Sequence, residues 1–237
     1  MRFPPGPGSN MFDSFDSVGS VLFLVLLVCG AIAFSMRSSV LTMLASPRLK
    51  ENPGGTEEIL AALPGNFRQI LAAEGFQFSQ AYSFHGSRLG FWLQSRPGAP
   101  LRTFCLNRNA GGTTYEFGTD FSDEADLTTT MTRAAFVFPL PYGRFMQSFP
   151  GASAQELWTA HRRGEEYILS ALRVPVAEPR RPFLEGFEEA IKAKLHHVTS
   201  HRLWFVRGIY WYLVKRFILH NRPIWEQDVA RLYGAPA

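Results

Sequence analysis

Residues 18–36 of this 237-residue chain read VGSVLFLVLLVCGAIAFSM and hold no charged side chain. At about 1.5 Å of rise per residue a helix of that length covers roughly 28 Å, close to the ~30 Å hydrocarbon core of a bilayer. Eleven of the residues are Leu, Ile, Val or Phe, and at about −0.3 to −0.6 kcal/mol each their insertion sums to roughly −3 to −7 kcal/mol. A core helix of a soluble domain would show a polar face, and this segment has none. The reading is a membrane-spanning helix, with Val18, Leu22, Phe23, Leu26, Leu27, Ile32 and Phe34 in lipid and Arg37 at the interface. The helix can extend to Ser46 if the Arg37 side chain reaches back to the head groups, and Pro47 then stops it. A cleaved signal peptide is the rival, with Ala31-Ile32-Ala33 as its cleavage site. Against it, Arg2 is outnumbered by Asp13 and Asp16, the wrong charge for such a leader.

Flanking basic residues set the expected orientation. Arg2 stands alone before the segment, whereas Arg37, Arg48 and Lys50 follow it. The positive-inside rule then puts the N-terminus outside and the larger C-terminal part in the cytoplasm, anchored once in a cell inner membrane. The net charge of +4 is uneven: residues 1–150 hold 11 basic and 11 acidic side chains, and residues 151–237 hold 13 and 9. A basic C-terminal third beside a bilayer would be drawn to anionic lipid head groups. The basic residues come as short pairs without an RNP, zinc-finger or helix-turn-helix signature, which argues against nucleic acid. Cys29 lies in the apolar segment and Cys105 far from it, so no disulfide framework is expected.

Four regions follow from the pattern: a disordered tail over 1–17, the span over 18–36, a linker with a short helix over 47–65, and an α+β domain over 66–237. Thr56 and Asn66 are candidate caps for EEILAAL and FRQILAAE, and Gly75 closes the second helix. Period-two alternation then places Phe76, Phe78, Tyr82 and Phe84 on one strand face, repeats at Leu89, Phe91 and Leu93, and places Tyr115, Phe117 and Phe121 together. Leu101–Asn107 and Thr113–Phe121 flank a turn at Asn109–Gly112, and Leu127–Phe138 supplies a further strand. The expectation is an antiparallel sheet of about five strands, one face greasy and one wet. Ser153 caps a helix through AQELWTAHRR with Gly164 after it. Phe183, Phe187, Ile191 and Leu195 stripe a second helix, with Lys192 and Lys194 facing elsewhere. Residues 202–217 alternate around Arg207-Gly208 and predict a hairpin, the competing reading being a basic amphipathic helix on the membrane. Ile224–Tyr233 reads as a last helix.

The segments FRQILAAEGFQFS (67–79), TTYEFGTDF (113–121) and RLWFVRGIYWYLV (202–214) occur in an order that resembles uncharacterised bacterial domains anchored by one N-terminal span. The resemblance implies a helix, a curved antiparallel sheet, a long helix and a terminal hairpin plus helix. It implies no chemistry, because that group has none assigned.

Chemical signatures are sparse. Glu189, His197 and His201 share one side of a helix and are the nearest approach to a zinc site, but the HExxH order is absent. Histidines near a helix C-terminus are more simply complements of its dipole. His161 with Glu165 and Glu166 is an acid–base candidate in principle, and a solvated helix face explains it as well. Asp120, Asp123, Glu124 and Asp126 form an acidic turn without the EF-hand order. Gly86-Ser87-Arg88-Leu89-Gly90 misplaces the serine of a nucleophile elbow, and no dinucleotide or phosphate loop occurs. No cofactor and no catalytic residue is therefore expected. Trp204, Tyr210, Trp211, Tyr212 and Trp225 crowd into twenty-two residues, more than a hairpin and helix bury easily, and read as a partner interface. The resulting expectation is a membrane-anchored, non-enzymatic accessory subunit docking on other integral membrane subunits of a respiratory, photosynthetic or transport complex. The alternatives are a tethered hydrolase, which needs a pocket where His161, His197 or the acidic turn converge, and a lipid-binding domain.

Overall fold

The computed structural model describes residues 11–45, 48–133, 135, 136, 138–177 and 181–233. Helix α1 runs Met11–Ala45. It is already helical at Met11, before Val18, since Met11–Ser17 contains neither Pro nor Gly to break it. Within it Ser20–Thr42 is long and apolar enough to cross a membrane. The proposed stop at Pro47 lies outside the described residues.

The body of the chain is an α+β fold on one seven-stranded sheet, ordered β1 (Lys50–Glu51), β2 (Gln77–Phe84), β3 (Ser87–Gln94), β4 (Leu101–Asn109), β5 (Gly112–Ser122), β6 (Ala125–Thr130) and β7 (Arg144–Ser148). Neighbours from β1 to β6 are antiparallel, and β7 lies parallel to β6. The sheet thus has two more strands than the alternation predicts. β1 is a two-residue pairing inside the expected linker. The expected strand 127–138 ends at Thr130, and the chain crosses over to bring Arg144–Ser148 back in the same direction. A parallel partner needs such a crossover of about a dozen residues, which short-range alternation does not report.

Short helices cover one face: α2 (Thr56–Ala62), α3 (Gly65–Glu74) and α4 (Ala154–Ser170). Gly75 closes α3 in the left-handed conformation, at φ +80°, as expected. Neither Thr56 nor Asn66 is an N-cap, since α2 starts after Gly55 and α3 after Pro64. The Ser153 cap is present as a full capping box with Glu156. Gly164 does not end α4. A Cβ there would lie 2.8 Å from the Gln147 amide nitrogen and 3.0 Å from a Leu127 methyl, so the glycine lets the helix lie close on β6 and β7. The core of this face is aromatic: Phe67, Phe104, Phe117 and Trp158 are buried together.

The opposite face carries helix α5 (Phe183–Thr199). Phe183 and Phe187 seat on Phe91, with ring centroids 5.1 and 5.2 Å away. Phe76, Phe78, Tyr82 and Phe84 do not share a face. A bulge between Phe78 and Gln80 shifts the β2 register, so Phe76 and Phe78 pack on the α2–α4 side and Tyr82 and Phe84 on the α5 side. One extra residue inverts every later side chain.

No hairpin forms over 202–217. The segment is α6 (Trp204–Tyr210), a π turn (Trp211–Lys215) and α7 (Arg216–Leu219), which run on as one composite helix. Gly208, Trp211 and Leu219 are buried at helical spacing, and Trp211 and Leu219 join Ala135 and Phe136 in a small core. His220 then bridges to Ser148 at the sheet edge. Residues Ile224–Glu226 form a single 3₁₀ turn, and α8 covers Val229–Tyr233.

Candidate functional site: a cavity over the open half of the sheet

Strand alternation sorts β5 and β6 into two chemistries. Phe117, Thr119 and Phe121 on β5 and Leu127 and Thr129 on β6 are buried under α4. Glu116, Gly118 and Asp120, with Asp126, Thr128 and Thr130, point the other way. Helix α5 covers that second face, and between the two, closed at one side by Phe136 and Phe138, lies a cavity of about 720 Å³. Its walls combine aromatic rings, among them Phe91, Phe138, Phe183 and Phe187, with the acidic residues of β5 and β6.

The charges in this cavity are unequally matched. Asp126 is ion-paired with Arg144, which also donates to the Asp123 carbonyl at 2.7 Å. Glu116 accepts from the Thr130 hydroxyl at 2.9 Å. Asp120 stands directly across the strand pair from Asp126. Among the described residues no side chain donates a hydrogen bond to it. Burial, then the Asp126 charge beside it, pushes the Asp120 carboxyl up to about 7, with Arg144 pulling the other way. Burial also raises Glu116, against the Thr130 hydrogen bond and Lys194. Lys194 lines the cavity together with Phe183, Phe187 and Ile191, the stripe from which the spacing predicts it to face away. Burial lowers its pKa while Glu116 and Asp126 hold it up. Burial raises the Cys105 thiol well above its ordinary range, so the one cysteine of the wall is protonated and a poor nucleophile.

His161 takes no part in this site. It lies under the sheet on the α4 side, fully buried. Its Nε2 is 2.9 Å from the Thr119 hydroxyl and its Nδ1 is 2.8 Å from the Thr129 hydroxyl. Thr119 donates onward to Glu165, and the Gln147 amide donates to Thr129 at 2.8 Å. These contacts form a one-way relay: amide to Thr129, Thr129 to Nδ1, Nε2–H to Thr119, Thr119 to carboxylate. The relay fits a neutral ring protonated on Nε2. Burial depresses the His161 pKa to about 4, the Glu165 charge opposing this and Arg102 and Arg162 adding to it. Burial raises Glu165, but the His161 ring, Arg102 and Thr119 outweigh it and leave the carboxyl below its usual range. Arg102 donates to it at 2.7 Å, and Arg162 is ion-paired with it. Glu166 sits outside the relay.

The remaining candidates scatter. Glu189 lines the mouth of the same cavity but is exposed and paired with Lys192 at 2.6 Å. His197 and His201 stack edge to face with centroids 5.6 Å apart. Among the described residues no group of three His, Cys, Asp or Glu side chains is placed to hold a metal ion. Trp204 packs on Phe138 at 6.0 Å, Trp211 is buried, Tyr212 lies under the Arg216 guanidinium at 3.7 Å, and Trp225 is half-buried on the core formed by α4, β7 and α8. Of the five aromatics read as an interface, Tyr210 alone is largely exposed. Leu22, Phe23, Leu26, Leu27, Phe34 and Arg37 are exposed on α1, Ile32 is half-exposed, and Val18 lies in the helix. The sequence reading missed Glu116, Thr130 and Lys194 as neighbours. The signal was there in part, since Glu116, Gly118 and Asp120 break the apolar alternation of β5 on one face. No family model matches the chain, and neither a curated protein nor a solved structure does.

Proposed function

We propose that this chain is a membrane-anchored, non-enzymatic accessory protein that holds a small organic cation, an amine on an apolar body, in the cavity beneath α5. The carrying observation is the Asp120 carboxyl, set in the cavity wall with no side-chain donor among the described residues, while its neighbour Asp126 is paired with Arg144. An ammonium group would supply the missing partner, and aromatic faces favour the same charge. A cavity of this size suits a small ligand. The absence of a three-ligand cluster among the described residues disfavours a metal ion. The acidic turn reaches the cavity, as a hydrolase would require, but His161 and His197 do not, and the cavity thiol is protonated.

The test is calorimetric titration of the full chain in detergent with benzylammonium and, as a neutral match, benzyl alcohol. Benzylammonium should bind and the alcohol should not. Affinity should fall as pH drops through about 7, because the protonated Asp120 cannot pair with a cation. Asp120→Asn should weaken binding at least tenfold. That variant should melt no lower at pH 8, since a carboxyl whose folded pKa is raised costs stability above its ordinary range. Equal binding of amine and alcohol overturns the reading.

Anchoring by α1 in a cell inner membrane, N-terminus outside, belongs to the same proposal, as does docking on a larger integral membrane assembly. The basic residues Arg37, Arg48 and Lys50 after the span support the orientation. The exposed apolar surface of α1 supports both lipid contact and docking.

A further inference from the structure

The composite helix α6–α7 has two unlike sides. Gly208, Trp211 and Leu219 face inward. On the outer side Leu203, Val206, Tyr210, Leu213, Val214 and Phe217 recur every three or four residues and are exposed, Leu203 at 61% and Phe217 at 63%. Ile218 extends the same patch. Among the described residues outside α1 nothing else exposes so continuous an apolar surface, and such a surface marks a partner. The described residues contain no element that covers it.

Its position names the partner. Helix α6 packs directly on α1, and α5 touches α1 as well. Among the α1 side chains described, the half-covered or buried ones are Cys29, Ile32, Ala33 and Val40, which fall on one side of the helix. These positions lie within the Ser20–Thr42 segment that is long and apolar enough to span a bilayer. A helix packed along the C-terminal half of that segment sits at membrane depth or at its edge. The charges agree with an edge. Arg202 precedes the composite helix, Arg222 follows it, and Lys215 and Arg216 lie in its last turns, with the Arg216 guanidinium over the Tyr212 ring. Arg207, at the margin of the apolar patch, is exposed and long enough to reach head groups.

We infer that α6–α7 is a second membrane element, a helix immersed in the bilayer interface beside the span, with its 203–218 stripe in the acyl region. Basic, amphipathic and rich in Trp, Tyr and Phe, it has the composition of helices that lie in that plane. This contact would fix the domain against the bilayer, because a single span leaves it free to swivel and two elements do not. The inference is independent of the ligand read into the cavity.

The experiment uses the full chain with Cys29→Ala and Cys105→Ala, reconstituted at one chain per nanodisc of phosphatidylcholine and phosphatidylglycerol. Single cysteines are introduced as Leu203→Cys, Leu213→Cys and Phe217→Cys, with Tyr142→Cys as an exposed control and Leu26→Cys in the span. Labelling by a water-soluble maleimide should run at least tenfold slower at 203, 213 and 217 than at 142, and equally slowly at 26. Full-rate labelling at 213 and 217 with protection at 26 overturns the inference and leaves a protein partner or a second copy as the cover. Full-rate labelling at 26 as well overturns it together with the anchor.

Discussion

At the scale of single residues the chain separates two kinds of buried ionisable group. His161 has every hydrogen-bonding atom occupied and no route to solvent, so its buried polarity rigidifies the core and is closed to substrates. Asp120 is the opposite case, a carboxyl facing a cavity and without a side-chain donor among the described residues. The two respond to pH with opposite sign. The His161 pKa is depressed from 6.5 to about 4, so its contribution is fully present above 6.5 and is lost as pH falls towards 4. That interval corresponds to roughly 3 kcal/mol at 1.36 kcal/mol per pH decade. Urea unfolding of the full chain in detergent, followed by tryptophan emission, measures it. The stability difference between the natural chain and His161→Gln should shrink by about that amount from pH 7 to pH 4. Comparing the two curves cancels the raised carboxyls Glu116, Asp120 and Asp126, which act the other way. A difference that stays constant over this range would show that the ring is not held neutral.

At the scale of elements, small residues decide which helix lies where. Gly90 in β3 is the contact point of α2: a Cβ there would lie 2.2 Å from an Ile59 methyl. Ile59 is fully buried and cannot yield cheaply. Gly90→Ala should therefore cost about 1–3 kcal/mol by overpacking. Ile59→Ala alone should cost about 2–5 kcal/mol through its cavity. Combined, the two should cost clearly less than their sum, because the new methyl fills the space the isoleucine vacates. Additivity in urea unfolding would place the cause elsewhere. The alternation of the middle strands and the caps at Ser153 and Gly75 were legible because they are set by neighbours three or four residues away. The β2 bulge, the parallel β7 and the composite helix were not. A bulge adds one residue and leaves the composition unchanged. The stretch 202–217 satisfies period two and a helical period together, and the choice falls to contacts such as that of Trp211 and Leu219 with Phe136, more than seventy residues earlier.

At the scale of the whole molecule, most of the exposed large apolar side chains belong to α1 and to the composite helix, whose α6 part packs on α1. Such a protein should remain in the pellet when membranes are washed with alkaline carbonate, and appear in the supernatant if Ser20–Thr42 is cut off with its leader. Purification in mild detergent followed by mass spectrometry should return companions, in keeping with an accessory role. Recovery as a solitary monomer would leave lipid as the only neighbour of α1 and α6.

The amino-acid sequence by itself determined the apolar helix, the mixed α and β character and the alternation within the middle strands, but not a wet face, since Tyr82, Leu89 and Phe91 build a second apolar core under α5. Each follows from the periodic placement of side chains along a short stretch, and water or lipid reads that placement locally. The cavity, the donor-poor Asp120 inside it, the inward turn of Lys194 and the burial of His161 were settled only by tertiary structure. They depend on which strand face α4 and α5 cover, and that is fixed by contacts between residues tens of positions apart, which no local pattern encodes.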